Sequence, residues 1–105
     1  MGTARGFGTF LQDQLRPHSA LFGDRARALF FTRERLGNGK PIAMSLGWHL
    51  GASQGVDVLY KEGGGGGFHC MMRVYPVSRV ASVVLTNVTG FDVGGLLNKL
   101  DFGFL

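Results

Sequence analysis

The stretch "YKEGGGGGFHCMMRVYP", Tyr60 to Pro76, decides how this chain is read. Its second half alternates. Phe68, Cys70, Met72 and Val74 fall on one side, and His69, Met71, Arg73 and Tyr75 on the other. Period-two alternation is the mark of a β-strand, whose successive side chains leave opposite faces. The glycines before it, Gly63 to Gly67, are read as the turn of a hairpin whose other arm is "VDVLYKE". A phosphate-binding loop fits poorly, because lysine should follow the glycines and precede a Ser or Thr. Here Lys61 comes before them and Phe68 and His69 come after.

Working outward, "AMSLGWHLG" alternates Met44, Leu46, Trp48 and Leu50 against Ser45, Gly47, His49 and Gly51, which reads as another strand. "VASVVLTNV" is apolar at nearly every position, as in a central strand covered on both faces. A last helix starts with Asp92 as N-cap, with Val93, Leu96, Leu97 and Leu100 as its buried stripe. Upstream, Phe7, Phe10, Leu11 and Leu15 recur at helical spacing and Pro17 ends the pattern, giving a helix over 4–15. Asp24 caps a shorter helix through Phe31, and "LGNGKP" is a loop. The sum is an α+β fold: an antiparallel β-meander of about four strands flanked by N- and C-terminal helices, one domain over residues 1–105.

Composition narrows the function classes. With 45% hydrophobic and 17% charged residues the chain is too apolar for disorder, and rich in apolar surface for 105 residues. That favours self-association. The formal charge is +4, but the basic residues are dispersed, without the dense aromatic-interleaved stripe of a nucleic-acid binder. One cysteine, Cys70, excludes an intrachain disulfide. The opening "MGTARGFGTF" has no apolar signal-like region, Met-Gly lacks the myristoylation pattern, and no apolar run is long enough to span a bilayer. As written, the chain reads as soluble and cytoplasmic, with no nucleic-acid or membrane partner.

The ordered set "SLGWHLG", "YKEGGGGGF", a strand ending in "VYP", "VASVVLTN" and a capped helix resembles the C-terminal part of the serine β-lactamase and penicillin-binding-protein-like family. It is most similar to the class C and esterase-type members, and "FLQDQLRP" is similar to their last helix before the sheet. Relatives of that kind are often exported. The resemblance implies a truncated hydrolase subdomain. It places Lys61, Glu62 and Gly63 on the edge strand that lines the active site. Lys61 would supply the positive charge that orients a small-molecule substrate, the N–H of Gly64 would serve an oxyanion hole, and Tyr60 would assist. Glu62 departs from the family's usual middle residue. The nucleophile motif S-x-x-K is missing, since none of Ser19, Ser45, Ser53, Ser78 or Ser82 has Lys three residues later. No acyl-enzyme can form on that motif here.

The residues that remain permit a metal-assisted hydrolase acting on an activated ester or phosphoester, with a divalent ion such as zinc. A turn over Gly63–Gly67 puts Glu62 opposite His69, about 5 Å apart, as a carboxylate–imidazole pair. With Lys61 they form the expected catalytic cluster at the mouth of the glycine turn. His49 shares that face if it pairs near Val58, but then lies about 16 Å from His69. A complete ligand set from His69, Glu62, His49 and His18 therefore needs another register or a second subunit. A lone strand histidine is more often structural, Cys70 with Met72 reads as core, and Glu62–His69 can be a simple hydrogen bond. The competing function is a non-catalytic oligomeric remnant or assembly module. Its "VASVVLTN" strand would have an uncovered edge, filled by a second copy in a homo-oligomer, most simply a dimer. Any complete site would then lie near the subunit interface. Nucleotide binding through Lys61 and the glycines is a third reading.

Overall fold

A computed structural model describes residues 2–105 of the chain. Helix α1 (Ala4–Leu15) begins at Thr3, whose hydroxyl accepts the Gly6 N–H at 3.0 Å. It ends at Arg16, before Pro17. Helix α2 (Asp24–Phe31) is capped by Gly23, so Asp24 is its first helical residue and not its cap. The Asp24 carboxylate instead meets His18 at 3.1 Å. Between the two helices the buried Asp13 carboxylate accepts from the Ser19 hydroxyl and from the Ala20 N–H. These bonds favour the ionised form and hold its carboxyl below the usual carboxylate range.

Four strands follow: β1 (His49–Ser53), β2 (Val56–Gly65), β3 (Phe68–Tyr75) and β4 (Val80–Thr86). They form one sheet in the order β1-β2-β3-β4, every neighbouring pair antiparallel. Helix α3 (Val93–Asp101) closes the fold, with Asp92 as its N-cap accepting the Gly95 N–H at 2.9 Å. The α+β meander expected from the alternation and the capping signals is the observed architecture.

Four further local expectations need correction. First, the glycine run is mostly strand. β2 continues through Gly65, Gly65 pairs with Phe68, and only Gly66 and Gly67 turn the chain. Glycine tolerates extended backbone, and pairing with β3 satisfies groups a loose loop would leave to water. Gly67 sits at φ +88°, where an L side chain is strained. Thr89 pins the tip, taking the Gly67 N–H at 2.6 Å. Second, Met44 to Trp48 is not strand. Ser45 and Trp48 close a tight turn, with the Ser45 N–H on the Trp48 carbonyl at 2.8 Å and the Trp48 N–H on the Ser45 hydroxyl at 3.1 Å. Leu46 is therefore left in solvent, while Trp48 is buried. Third, α3 buries Val93, Leu97 and Asp101, an i, i+4, i+8 line, and leaves Leu100 exposed. Fourth, β4 is an edge strand of this sheet and not a central one, although its residues are largely half-buried.

Helices cover both faces of the sheet. On the α1 face Leu11, Trp48, Leu59 and Val74 form the core, flanked by Phe10, Phe31, Leu50, Met72 and Val83. On the α3 face Met71 packs with Val93 and Leu97, joined by Tyr60 and Val84. Beside that smaller cluster lies a polar network. Tyr75 donates its hydroxyl to Asp101 at 2.8 Å, Ser82 donates to the same oxygen at 3.1 Å, and Arg73 approaches it at 3.6 Å. Burial, and then the bond to Asp101, push the Tyr75 hydroxyl above its ordinary pKa.

Candidate functional site

The alternation of β2 divides the expected site between two faces. Tyr60, Glu62 and Gly64 belong to the α3 face, and Lys61, Gly63 and Gly65 to the α1 face. Glu62 is paired with Met71, and His69 with Gly64, so Glu62 and His69 are diagonal neighbours and not directly opposed. The shorter turn shifts the register by two residues. Long side chains span that diagonal, and His69 Nε2 meets Glu62 Oε1 at 2.7 Å. The contact expected from the sequence is present through a different register. His69 Nδ1 is buried without a hydrogen-bond partner among the described residues.

Lys61 does not join this pair. Its side chain lines an apolar slot of about 140 Å³ on the α1 face, with Phe7, Cys70, Met72, Val83 and Leu85. The Cys70 thiol donates to the Gly63 carbonyl at 3.3 Å, which fixes it to the slot wall. Lys61 makes no ion pair among the described residues. The expected catalytic trio of Lys61, Glu62 and His69 is thus split by the thickness of the sheet.

The other candidates are dispersed. His49 pairs with Tyr60, not with Val58, and their rings stack at 5.2 Å between centroids. Tyr60 pairs in turn with Arg73, four residues along β3 from His69. Standard strand spacings then leave His49 about 16 Å from His69. His18 lies on the α1–α2 connection with Asp24. Glu62 and His69 are brought together, and His49 and His18 are not. Among the described residues no three His, Cys, Asp or Glu side chains form a group able to hold a metal ion. Four of the serines are tied into structure: Ser19 to Asp13, Ser45 to Trp48, Ser53 to Asn98 and Ser82 to Asp101.

A feature the alternation alone did not expose is the end of β1. It pairs with β2 only as far as Tyr60, so Lys61 to Gly65 run on with β3 on one side and, among the described residues, no strand on the other. Along these five residues, three of them glycine, alternate residues turn main-chain groups toward the open edge beside Lys61, while the Gly65 carbonyl accepts from Thr89 at 3.3 Å. Such an edge takes up extended acyl or amide groups through main-chain hydrogen bonds. The sequence signal for it was the length mismatch between "VDVLYKEGGG" and the short "HLGAS". The Arg73–Asp101–Tyr75 network was also missed. Its signal was an arginine placed inside an otherwise buried strand, which requires a counter-charge elsewhere.

Comparison with models of known families, with curated proteins and with solved structures returned no match in any of the three.

Proposed function

We propose that this chain is the substrate-holding sheet of a β-lactamase-like hydrolase, receiving an ester or amide along Lys61–Gly65. The observation that carries the reading is the five-residue overhang of β2 past β1 beside the unpaired Lys61. Main-chain groups of the overhang align the acyl group. Lys61 offsets negative charge on its oxygen, and the apolar slot takes the adjoining side chain. With no S-x-x-K in the sequence, the chain binds such a compound without forming the family's acyl-enzyme.

The reading includes a homodimer. β4 has β3 on one side only, and Leu85 beside the slot is exposed. An open edge strand is a template for another strand. A second copy added across a two-fold axis pairs the two β4 strands and covers apolar side chains, each contributing roughly 1.5–3 kcal/mol when fully buried. That places the second subunit at the rim of the slot.

Backbone amide NMR tests the site. Titration with a blocked dipeptide ester should shift Lys61–Gly65, and Lys61→Ala should weaken binding at least about tenfold, as for loss of a charge-assisted contact. Shifts confined to other residues would overturn the binding edge. Light scattering at micromolar concentration should report a dimer, and a stable folded monomer would remove the assembly half of the reading.

A second reading rests on the 2.7 Å Glu62–His69 contact. In it these two residues supply two ligands of a divalent ion such as zinc. A third ligand would come from another subunit, and the ion would supply Lewis-acid activation for hydrolysis of an activated ester or phosphoester. Metal analysis with a chromogenic ester assay separates the two. Turnover lost on chelation and in His69→Ala supports the metal reading, and chelator-insensitive behaviour excludes it.

A further inference from the structure

A second concavity lies on the α3 face, on the far side of the sheet from the Lys61 slot. It has a volume of about 500 Å³ and is bounded by Gly51, Ser53, Tyr60, Glu62, Arg73 and Asn98. Sites for small molecules commonly measure roughly 300–1,000 Å³. Two features keep it open. Residue 51 has no side chain, and a Cβ there would lie 3.3 Å from the Tyr60 ring. The β1–β2 turn is also tied to α3, with Ser53 donating to Asn98 Oδ1 at 3.2 Å and the Gln54 amide donating to the Asn98 carbonyl at 2.9 Å.

These bonds fix what the cleft offers. Asn98 Oδ1 also accepts from Arg73 at 2.7 Å. With its oxygen held by two donors, the Asn98 amide nitrogen is the free end, a donor with no partner among the described residues. Neither the Tyr60 hydroxyl nor the second Glu62 oxygen has a hydrogen-bond partner among the described residues. Val58 and Met71, both buried, supply an apolar floor. The charges are of both signs. Glu62 carries the carboxylate, and Arg73 the guanidinium, itself countered by Asp101 at 3.6 Å.

We propose that this cleft binds a small neutral polyhydroxylated molecule, of the size and chemistry of a mono- or disaccharide. A hydroxyl both donates and accepts, so adjacent hydroxyls of one ligand satisfy the Asn98 amide, the Tyr60 hydroxyl and the Glu62 carboxylate together. The C–H face of a sugar ring rests on Val58 and Met71. Arg73 is already countered by Asp101 and Glu62 already holds His69, so the cleft keeps no unpartnered charge for an ionic ligand. The cleft shares Glu62 with the Lys61–Gly65 edge, and substitutions at Gly51 and Asn98, which lie outside that edge, keep the two apart.

Saturation-transfer NMR with glucose, maltose and N-acetylglucosamine, beside ethanolamine and acetate as charged controls, tests the proposal. At least one sugar should bind, with affinity unchanged by added salt. Gly51→Val, which fills the cleft, should abolish the signal while circular dichroism shows the fold retained. Asn98→Asp keeps the acceptor for Arg73 and Ser53 but removes the donor, and should weaken binding about tenfold. Absence of transfer to all three sugars overturns the proposal. So does salt-sensitive binding of a charged control in their place, or undiminished sugar binding by Gly51→Val.

Discussion

The two faces of the sheet hold their helices by different physics. Against α1 the contacts are apolar, with Leu11 inserted among Trp48, Leu59 and Val74. Against α3 a small apolar cluster is supplemented by Arg73, Tyr75, Ser82, Asn98 and Asp101, joined by hydrogen bonds and an ion pair. Apolar burial is non-directional, so it favours covering a face without dictating which residue meets which. Buried polar groups are costly unless every partner is in place, so they fix the position of α3 along the sheet. The difference assigns bulk stability to one face and register to the other. The cleft proposed for a sugar lies on the face whose geometry is held by directed bonds.

The largest expected effect breaks the polar face. Asp101→Ala leaves Arg73 buried without its counter-charge, at a cost of about 3–5 kcal/mol. Urea denaturation should show it, and hydrogen exchange should show α3 losing protection before the strands do. If α1 loosens first, the division of labour between the faces is wrong. Leu11→Ala tests the other face. A fully buried leucine removed from a packed core costs about 3 kcal/mol, and here protection should fall across the whole sheet together. A loss confined to α1 would show that the apolar cover is only local.

Tyr75 gives a smaller effect with a definite pH sign. Tyr75→Phe removes a hydrogen bond to a carboxylate and should cost about 1.5–3 kcal/mol near neutral pH. Because folding raises the pKa of this hydroxyl, the folded state holds its proton more tightly than the unfolded chain does. Its contribution is complete below the ordinary tyrosine value of 10.0 and is lost as pH rises through the higher folded-state value. The wild type should therefore lose more stability than Tyr75→Phe in an alkaline denaturation series. Parallel curves would remove Tyr75 from the network.

The smallest effect belongs to the hairpin tip, at Gly66 and Gly67. Gly67→Ala forces an L residue into φ +88° and should cost about 1 kcal/mol. Gly66→Ala, with open space around it and no positive φ, should be neutral or slightly stabilising. Equal effects at the two positions would mean that the turn is not where the pairing of Gly65 with Phe68 places it.

Local pattern determined much of this protein. The period-two alternation of Phe68–Tyr75 assigned its side chains to the faces they occupy, because a strand has no other way to direct them. Helix spacing and Pro17 bounded α1, and Asp92 marked the start of α3, because caps and breakers act within one turn. The Glu62–His69 contact was also legible, since only a handful of residues separate them around a hairpin. Tertiary structure decided the rest. Glycines carry no side-chain pattern, so only pairing with β3 could show that Gly63–Gly65 are strand and that Glu62 meets His69 diagonally. Alternation alone made Met44 to Leu50 look extended, but the Ser45–Trp48 turn is set by hydrogen bonds that periodicity does not record. The separation of Lys61 from Glu62 followed from the pleat. What fills each side of the sheet, a slot beneath α1 and a cleft beside α3, depended on where two distant helices come to rest. Two partners of Arg73 lie more than twenty residues away, Asn98 as a hydrogen-bond acceptor and Asp101 as an ion-pair partner, and only the closed chain brings them to it.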